Sequence, residues 1–301
     1  MISASSRKKD YWGWVKGYLH ISPSIIGFGV FVAYPLIMSV YYALTDWNGY
    51  SKPKYVGFDN FNYLFTIDPA FWKAIRITFY YVLINVPASL IFGLLLAMLL
   101  NRKLPAIKFF RTAFYLPTVL PMIATLTLWK FIYHPQYGLA NRILNLFGAG
   151  PLDWLSNERL ALVSVIIAGL WQIGGGMIIF LSGLQSVPQD LYEAAEMDGA
   201  RGWLVFRNVT LPLITPILFL QLILGIIGSF QSFAQVQVMT GGGPNYATLL
   251  LNFKIYSDVF GQKMFGYGIA EVWILFLIIM VFTLITYKYS NQFVHYENDN
   301  R

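Results

Sequence analysis

The chain has no cysteine, which excludes disulfides, thiol nucleophiles and thiolate metal sites. It has three histidines, His20, His134 and His295. They stand far apart, none at metal-ligand spacing, and read as interfacial or loop residues. No lysine is followed by serine or threonine, so the phosphate-cradling loop of an ATPase is missing. No Ser-His-Asp arrangement or metal cluster is legible either, and no catalytic site is expected. Charge is scarce as well. Only 12% of the 301 residues are charged, against about 25% in a soluble domain.

What is abundant is apolar surface. Hydrophobic residues make up 57% of the chain, and the mean hydropathy is +0.56. A single water-soluble core could not hide that much, because burial is limited by surface-to-volume scaling. The expected solvent is a lipid bilayer, and the nine Trp and twenty Tyr suit its interfacial belts. The net charge of +7 does not point to nucleic acid. Lys and Arg flank apolar runs instead of sharing one soluble face.

Crossing a bilayer takes about 20 apolar residues in a helix. Six runs meet that length: Tyr18–Leu44, Ala74–Leu100, Thr112–Tyr133, Leu160–Leu184, Leu211–Met239 and Tyr267–Tyr287. None alternates as a barrel strand would, so the expected fold is all-α and polytopic with six transmembrane helices. Residues 1–17 and 290–301 are expected as tails around a permease domain spanning 18–289. The first run is too long for a signal peptide and has no cleavage-like site after it. Arg7, Lys8, Lys9 and Lys16, then Arg102, Lys103, Lys108 and Arg111, place the N-terminus and the second-to-third-span loop in the cytoplasm. Lys52, Lys54, Lys73 and Arg76 near the opposite face weaken that bias. Six spans put both termini inside.

An acidic island interrupts this pattern. "LQSVPQDLYEAAEMDGARGW" holds Asp190, Glu193, Glu196 and Asp198 in a chain with only 14 acidic residues. Pro188 suits a helix start, Ser186 or a backbone turn a cap, and Gly199 a stop. The reading is a helix of about three turns outside the bilayer, with Leu191, Ala194 and Ala195 on one side. The residues alone leave two readings open: a polar connector that touches nothing, or a docking knob for a cytoplasmic partner.

The stretch "EAAEMDGARGWLVFRNVTLP" resembles the EAA loop of binding-protein-dependent ABC transporter permeases. Glu193, Ala194, Ala195, Gly199, Leu211 and Pro212 fall at the motif's spacings, and Val209 replaces its isoleucine. "VPASLIFGLLLAMLLNRKLPAIKFFRTAFYLPTVLP", "YVGFDNFNYLF" and "MTGGGPNYAT" are similar to further segments of the sugar-transporting branch, the maltose and glycerol-phosphate type. The similarity extends over nearly the whole chain. It implies that residues of about 186–210 form a cytoplasmic coupling loop whose helix seats in a separate ATPase subunit. Glu193 would pair with a basic residue there, Asp198 would lie alongside, Ala194 and Ala195 would allow close approach, and Gly199 would turn the chain toward the fifth span. It also implies a second, homologous permease, two ATPase subunits carrying ATP and Mg, and an extracytoplasmic solute-binding protein, in a bacterial or archaeal cytoplasmic membrane. No cofactor is expected in this chain.

A solute path is sought among polar side chains inside spans. Ser229, Gln231 and Gln235 in the fifth run, with Trp171 and Gln172 in the fourth, are the candidates. Gln231 and Gln235 are expected on one helix face. Amides and aromatic faces suit a neutral, hydroxyl-rich ligand such as a saccharide. The same glutamines would also serve as interhelical hydrogen bonds. Gly241, Gly242, Gly243 and Pro244 are expected either at the outer mouth near a docked binding protein or in a plain turn. "IGGGM" (Ile173–Met177), inside the fourth run, is expected to serve helix packing. Other solutes of the same transporter class, glycerol phosphate, peptide or amino acid, stay open. An ion-coupled carrier would call for an inverted repeat and ionisable residues at mid-membrane, and neither is evident.

Overall fold

Asp68 begins the longest helix. Its carboxylate accepts hydrogen bonds from the backbone N–H of Ala70 (2.9 Å) and Phe71 (3.3 Å), and Pro69 fills the first helical position, where a missing N–H costs nothing. The helix then runs unbroken from Pro69 to Leu100 through Pro87. At 1.5 Å per residue it is about 48 Å long, more than a bilayer's apolar core. The computed structural model describes residues 11–102 and 105–293. Arg7, Lys8, Lys9, Lys103, His295 and the end of the expected C-terminal tail lie outside the described residues.

The fold is built of helices. In chain order they are α1 (Tyr11–Phe28), α2 (Tyr34–Ala43), α3 (Asp59–Thr66), α4 (Pro69–Leu100), α5 (Ile107–Val119), α6 (Met122–Ile132), α7 (Leu139–Leu146) and α8 (Ala161–Leu170). Then come α9 (Gly174–Ser186), α10 (Gln189–Met197), α11 (Trp203–Val205), α12 (Leu211–Leu213), α13 (Thr215–Phe230), α14 (Ala234–Met239), α15 (Leu251–Tyr256) and α16 (Phe265–Phe293). One small antiparallel pair, Thr45–Asp46 with Lys54–Tyr55, closes the loop after α2.

Three stretches are long and apolar enough to cross a membrane unbroken: Val15–Ala43, Pro69–Leu100 and Phe265–Tyr289. The other three expected spans are each broken. The third bends by 100° between α5 and α6, where Leu120 is extended ahead of Pro121, as the proline ring demands. The fourth bends by 49° at Trp171–Ile173, and the segment α11–α12 meets α13 at 69° around Ile214. The fifth expected run does not reach Met239 as one helix. It stops at Phe230: the Ser232 N–H turns back to the Ser229 carbonyl (3.2 Å), and its hydroxyl donates to the Gln235 side chain. Asn252 donates to the carbonyl freed at Gln231 (2.6 Å).

Helix α4 is the axis of the core. Its Phe71, Ala74 and Val86 pack with Phe230, Ile255 and Leu275. Ile77 and Tyr81 pack with Leu126, Val165 and Val236. Ala97 and Leu100 pack with Phe180, Leu184 and Ile214. The most apolar part of the first span, by contrast, has no fully buried residue.

Candidate functional site

Polar side chains from α4, the α8–α9 break, α13 and α14 meet near the middle of α4. Tyr81, Asn85 and Ser89 recur every four residues, so they share one face of α4. With Gln172 from the α8–α9 break, Gln221 from α13 and Gln235 from α14, they line a cavity of about 220 Å³. No charged side chain lines it among the described residues. Asn85 donates to Ser229 Oγ (3.0 Å), Ser232 donates to Gln235 Oε1 (2.9 Å), and the Tyr81 and Ser232 hydroxyls lie 3.2 Å apart. These bonds satisfy part of each group and leave amide and hydroxyl capacity facing the space. Small residues make the room: a Cβ on Gly176 would stand 2.8 Å from Gln221 Nε2. Its neighbour Gly174 lets α9 press against the Phe114 carbonyl, the packing role expected of the glycine run.

The five residues singled out from the sequence do not all converge. Gln172 and Gln235 line the cavity, and Ser229 is buried behind it on Asn85. Gln231 does not join Gln235, because the helix ends between them; its side chain is exposed. Trp171 faces away, edge-on to Trp129 (5.7 Å between ring centroids), into a separate apolar cavity of about 450 Å³ with Phe92, Leu96, Phe114 and Pro117. Tyr81, Asn85, Ser89 and Gln221 were not singled out. The four-residue repeat of Tyr81, Asn85 and Ser89 in an apolar run was the available signal.

The acidic island forms helix α10, Gln189–Met197. Pro188 stands just before it as the cap residue, and Ser186 does not cap it; its hydroxyl bonds back to Gly183. Gly199 has φ +79°. Its N–H reaches the Glu196 carbonyl (3.0 Å) and that of Ala200 reaches Ala195 (2.9 Å), the paired bonds that close a helix end around a left-handed residue. No α10 residue is buried. Glu193 accepts from Gln189 (3.0 Å), and Tyr192 tethers the helix by bonding Thr210 (3.2 Å) ahead of Leu211 and Pro212. Met197, 89% exposed, and Trp203, 70% exposed, extend the surface with large apolar groups that the charge pattern did not flag.

At the Asp68 end of α4 lies the glycine-proline loop. Gly241 and Gly242 have positive φ, and Thr248 fastens the turn by bonding Thr240 (2.7 Å) and the Gly243 carbonyl (2.7 Å). Lys73 of α4 donates to the carbonyl of Asn245, just past Pro244 (2.6 Å). The chain also contains a buried charge cluster that the sequence did not suggest. Lys254 Nζ lies 2.7 Å from Asp68, 2.6 Å from Asp258 and 2.6 Å from Glu271. Glu271 sits inside the sixth expected span, Tyr267–Tyr287, and pairs there with Lys254. Burial acts to raise the Asp68 carboxyl, but hydrogen bonds from Lys254 and Tyr267 outweigh it and hold the group below its usual range. Burial likewise acts to lower Lys254, and the carboxylates around it, Glu271 foremost, outweigh that and raise it.

Residues 89–295 match the family described as binding-protein-dependent transport system inner membrane component. The probable ABC transporter permease protein YesP of Bacillus subtilis (strain 168) is 36% identical, with 99% of this chain and 96% of that protein covered. The probable starch degradation products transport system permease protein AmyD of Thermoanaerobacterium thermosulfurigenes is 34% identical over 92% and 93% of the two chains. The trehalose/maltose transport system permease protein MalF of Thermococcus litoralis is 33% identical over 90% and 92%. In fold, the chain superposes on one from a bacterial alginate ABC transporter crystallised with its alginate pentasaccharide-bound periplasmic protein. The TM-score is 0.83 at 22% identity, covering 94% of this chain and 98% of the other. The chain belongs to the binding-protein-dependent transport system inner membrane component family.

Proposed function

We propose that this chain is one membrane-spanning half of an ABC importer for a sugar or oligosaccharide. It crosses the membrane six times, with three of the crossings bent, and both termini lie in the cytoplasm. The Asp68 end of α4 then faces outward and carries the glycine-proline loop, where a solute-binding protein docks. The Leu100 end faces inward, with α10. A homologous permease completes the path, and two separate subunits bind and hydrolyse ATP, since this chain has no phosphate loop.

The observation that carries the reading is the uncharged, amide- and hydroxyl-lined cavity against α4. Glutamine and asparagine side chains both donate and accept, as sugar hydroxyls do, so each ring hydroxyl lost from water regains a partner. A phosphate or carboxylate passing the same lining would be desolvated with no cation to meet it. Relatives named for starch degradation products and for trehalose and maltose support the substrate class.

Helix α10 is the coupling helix. Its exposed Glu193 and Ala194, the half-buried Ala195 and the apolar Met197 and Trp203 seat against the ATPase, and the Tyr192–Thr210 tether passes movement to Leu211, Pro212 and α13. Solute-loaded binding protein and ATP must each prefer one conformation, or neither would shift the equilibrium. The test is reconstitution of the four membrane subunits in proteoliposomes with the solute-binding protein. Saccharide-dependent ATP hydrolysis and uptake are expected, and Asn85→Ala with Gln221→Ala lowers uptake while the ATPases stay bound. Uphill uptake by this chain with no ATPase present, or full uptake by the double variant, would sink the reading.

A further inference from the structure

The Lys254 cluster borders a second polar cavity, of about 230 Å³, at the Asp68 end of α4. Asp68, Lys254 and Asp258 line it together with Tyr63, Tyr246 and Tyr267. Tyr246 belongs to the glycine-proline loop and is half exposed, so the cavity opens at the surface where that loop lies.

The charges there do not balance. One ammonium faces three carboxylates whose oxygens all lie within 4.8 Å of one another. Glu271 stands behind the wall, fully buried, and spends only Oε1 on Lys254; Oε2 has no hydrogen-bond partner among the described residues. One ammonium cannot neutralise three carboxylates, and buried charge without a counter-charge is costly, so the site favours a further cation. Lys73 of α4 is engaged by the Asn245 carbonyl and the ring of Tyr246, and it does not line the cavity. Tyrosine faces and carboxylates together suit a cationic side chain, which gains cation–π contact and charge-assisted hydrogen bonds at once.

We propose that this cavity is a socket for one basic side chain, lysine or arginine, of the extracytoplasmic protein that docks on the glycine-proline face. The proposal rests on the importer reading above for the identity and side of that partner. It makes the cluster a docking element as well as a brace: the arriving cation offsets part of the excess negative charge and fixes the loop's Tyr246 over it.

The absence of cysteine provides a clean test. Ser257 lines the cavity and is half-buried, so Ser257→Cys in the assembled transporter in nanodiscs carries the only thiol of this chain. A trimethylammonium methanethiosulfonate should label it about tenfold faster than the sulfonate reagent of similar size. Adding the binding protein that stimulates the assembly's ATPase should slow labelling severalfold. Gln262→Lys, at the exposed rim beside Asp258, places a resident cation in the socket without breaking an ion pair. It should weaken docking about tenfold, the loss expected when one charged contact is pre-empted. Equal labelling by the two reagents would overturn the proposal, as would undiminished labelling in the docked complex or normal docking by Gln262→Lys. Protection by millimolar calcium chloride alone would make it a metal site instead. If no extracytoplasmic protein stimulates the ATPase, the importer reading fails with it; stimulation with unaltered labelling overturns the socket alone.

Discussion

Asn85 donates its Nδ2 hydrogen to Ser229 Oγ at 3.0 Å, across 144 positions of sequence, and so ties α4 to the end of α13 beside the polar cavity. Ser229 is buried. Ser229→Ala removes the acceptor while leaving the cavity's own amides in place. The expected cost is about 1 kcal/mol, at the level of interhelical hydrogen bonds in membranes. A lower thermal midpoint of the detergent-purified assembly, with a raised apparent KM for uptake, would register it.

Gly176 gives a sharper probe of the same space. A side chain there is driven toward Gln221 Nε2, which lies 2.8 Å from the ideal Cβ position. Gly176→Leu therefore fills the cavity and displaces one of its amides. Overpacking of this kind costs about 1–3 kcal/mol, and uptake should fall about tenfold or more while the ATPases remain bound. Gly176→Ala should lie between, since Gln221 has flexible torsions with which to withdraw.

The α10 stop makes a prediction about conformation instead of contact. Nothing lies near an added Cβ at Gly199, so space is not the constraint; φ +79° is. Gly199→Ala should cost about 1 kcal/mol in that end of the helix, and Gly199→Asn less, because asparagine tolerates the left-handed region. Substrate-stimulated ATPase activity should follow the order Gly, Asn, Ala. Equal activity for Ala and Gly would show that the turn is not transmitting the motion.

The sequence disclosed what local chemistry dictates. Runs of apolar residues gave the long helices, and Gly199 gave the end of α10 through its left-handed torsion. It did not disclose the breaks. Trp171–Ile173 and Gln231–Phe233 carry ordinary apolar or polar residues whose departure from helix is decided by partners far along the chain, such as Asn252 on the Gln231 carbonyl. That is why Gln231 and Gln235, four apart and expected on one face, separate. The cavity residues of α4 were legible as a four-residue repeat in an apolar run. The Lys254 cluster was not, because Asp68 and Lys254 meet only after α4 and α15 pack together.

That cluster sets a pH prediction with a definite sign. The Asp68 carboxyl is held below its ordinary value of 3.8, so its contribution to stability is present above about pH 4 and is lost as pH falls further. Lys254 is held above its ordinary 10.5, so its contribution is present below that value and lost only as pH rises through it. Between these limits both charges persist, and the contribution of the Asp68–Lys254 pair to the thermal midpoint should be flat. Lys254→Met should abolish the alkaline decline and lower stability at neutral pH by about 3–5 kcal/mol, the cost of leaving carboxylates buried without their cation. Adding Glu271→Gln to Lys254→Met removes one stranded charge and should recover part of that loss. A Lys254→Met protein with unchanged midpoint across the whole pH range would show that the four charges do not brace the fold.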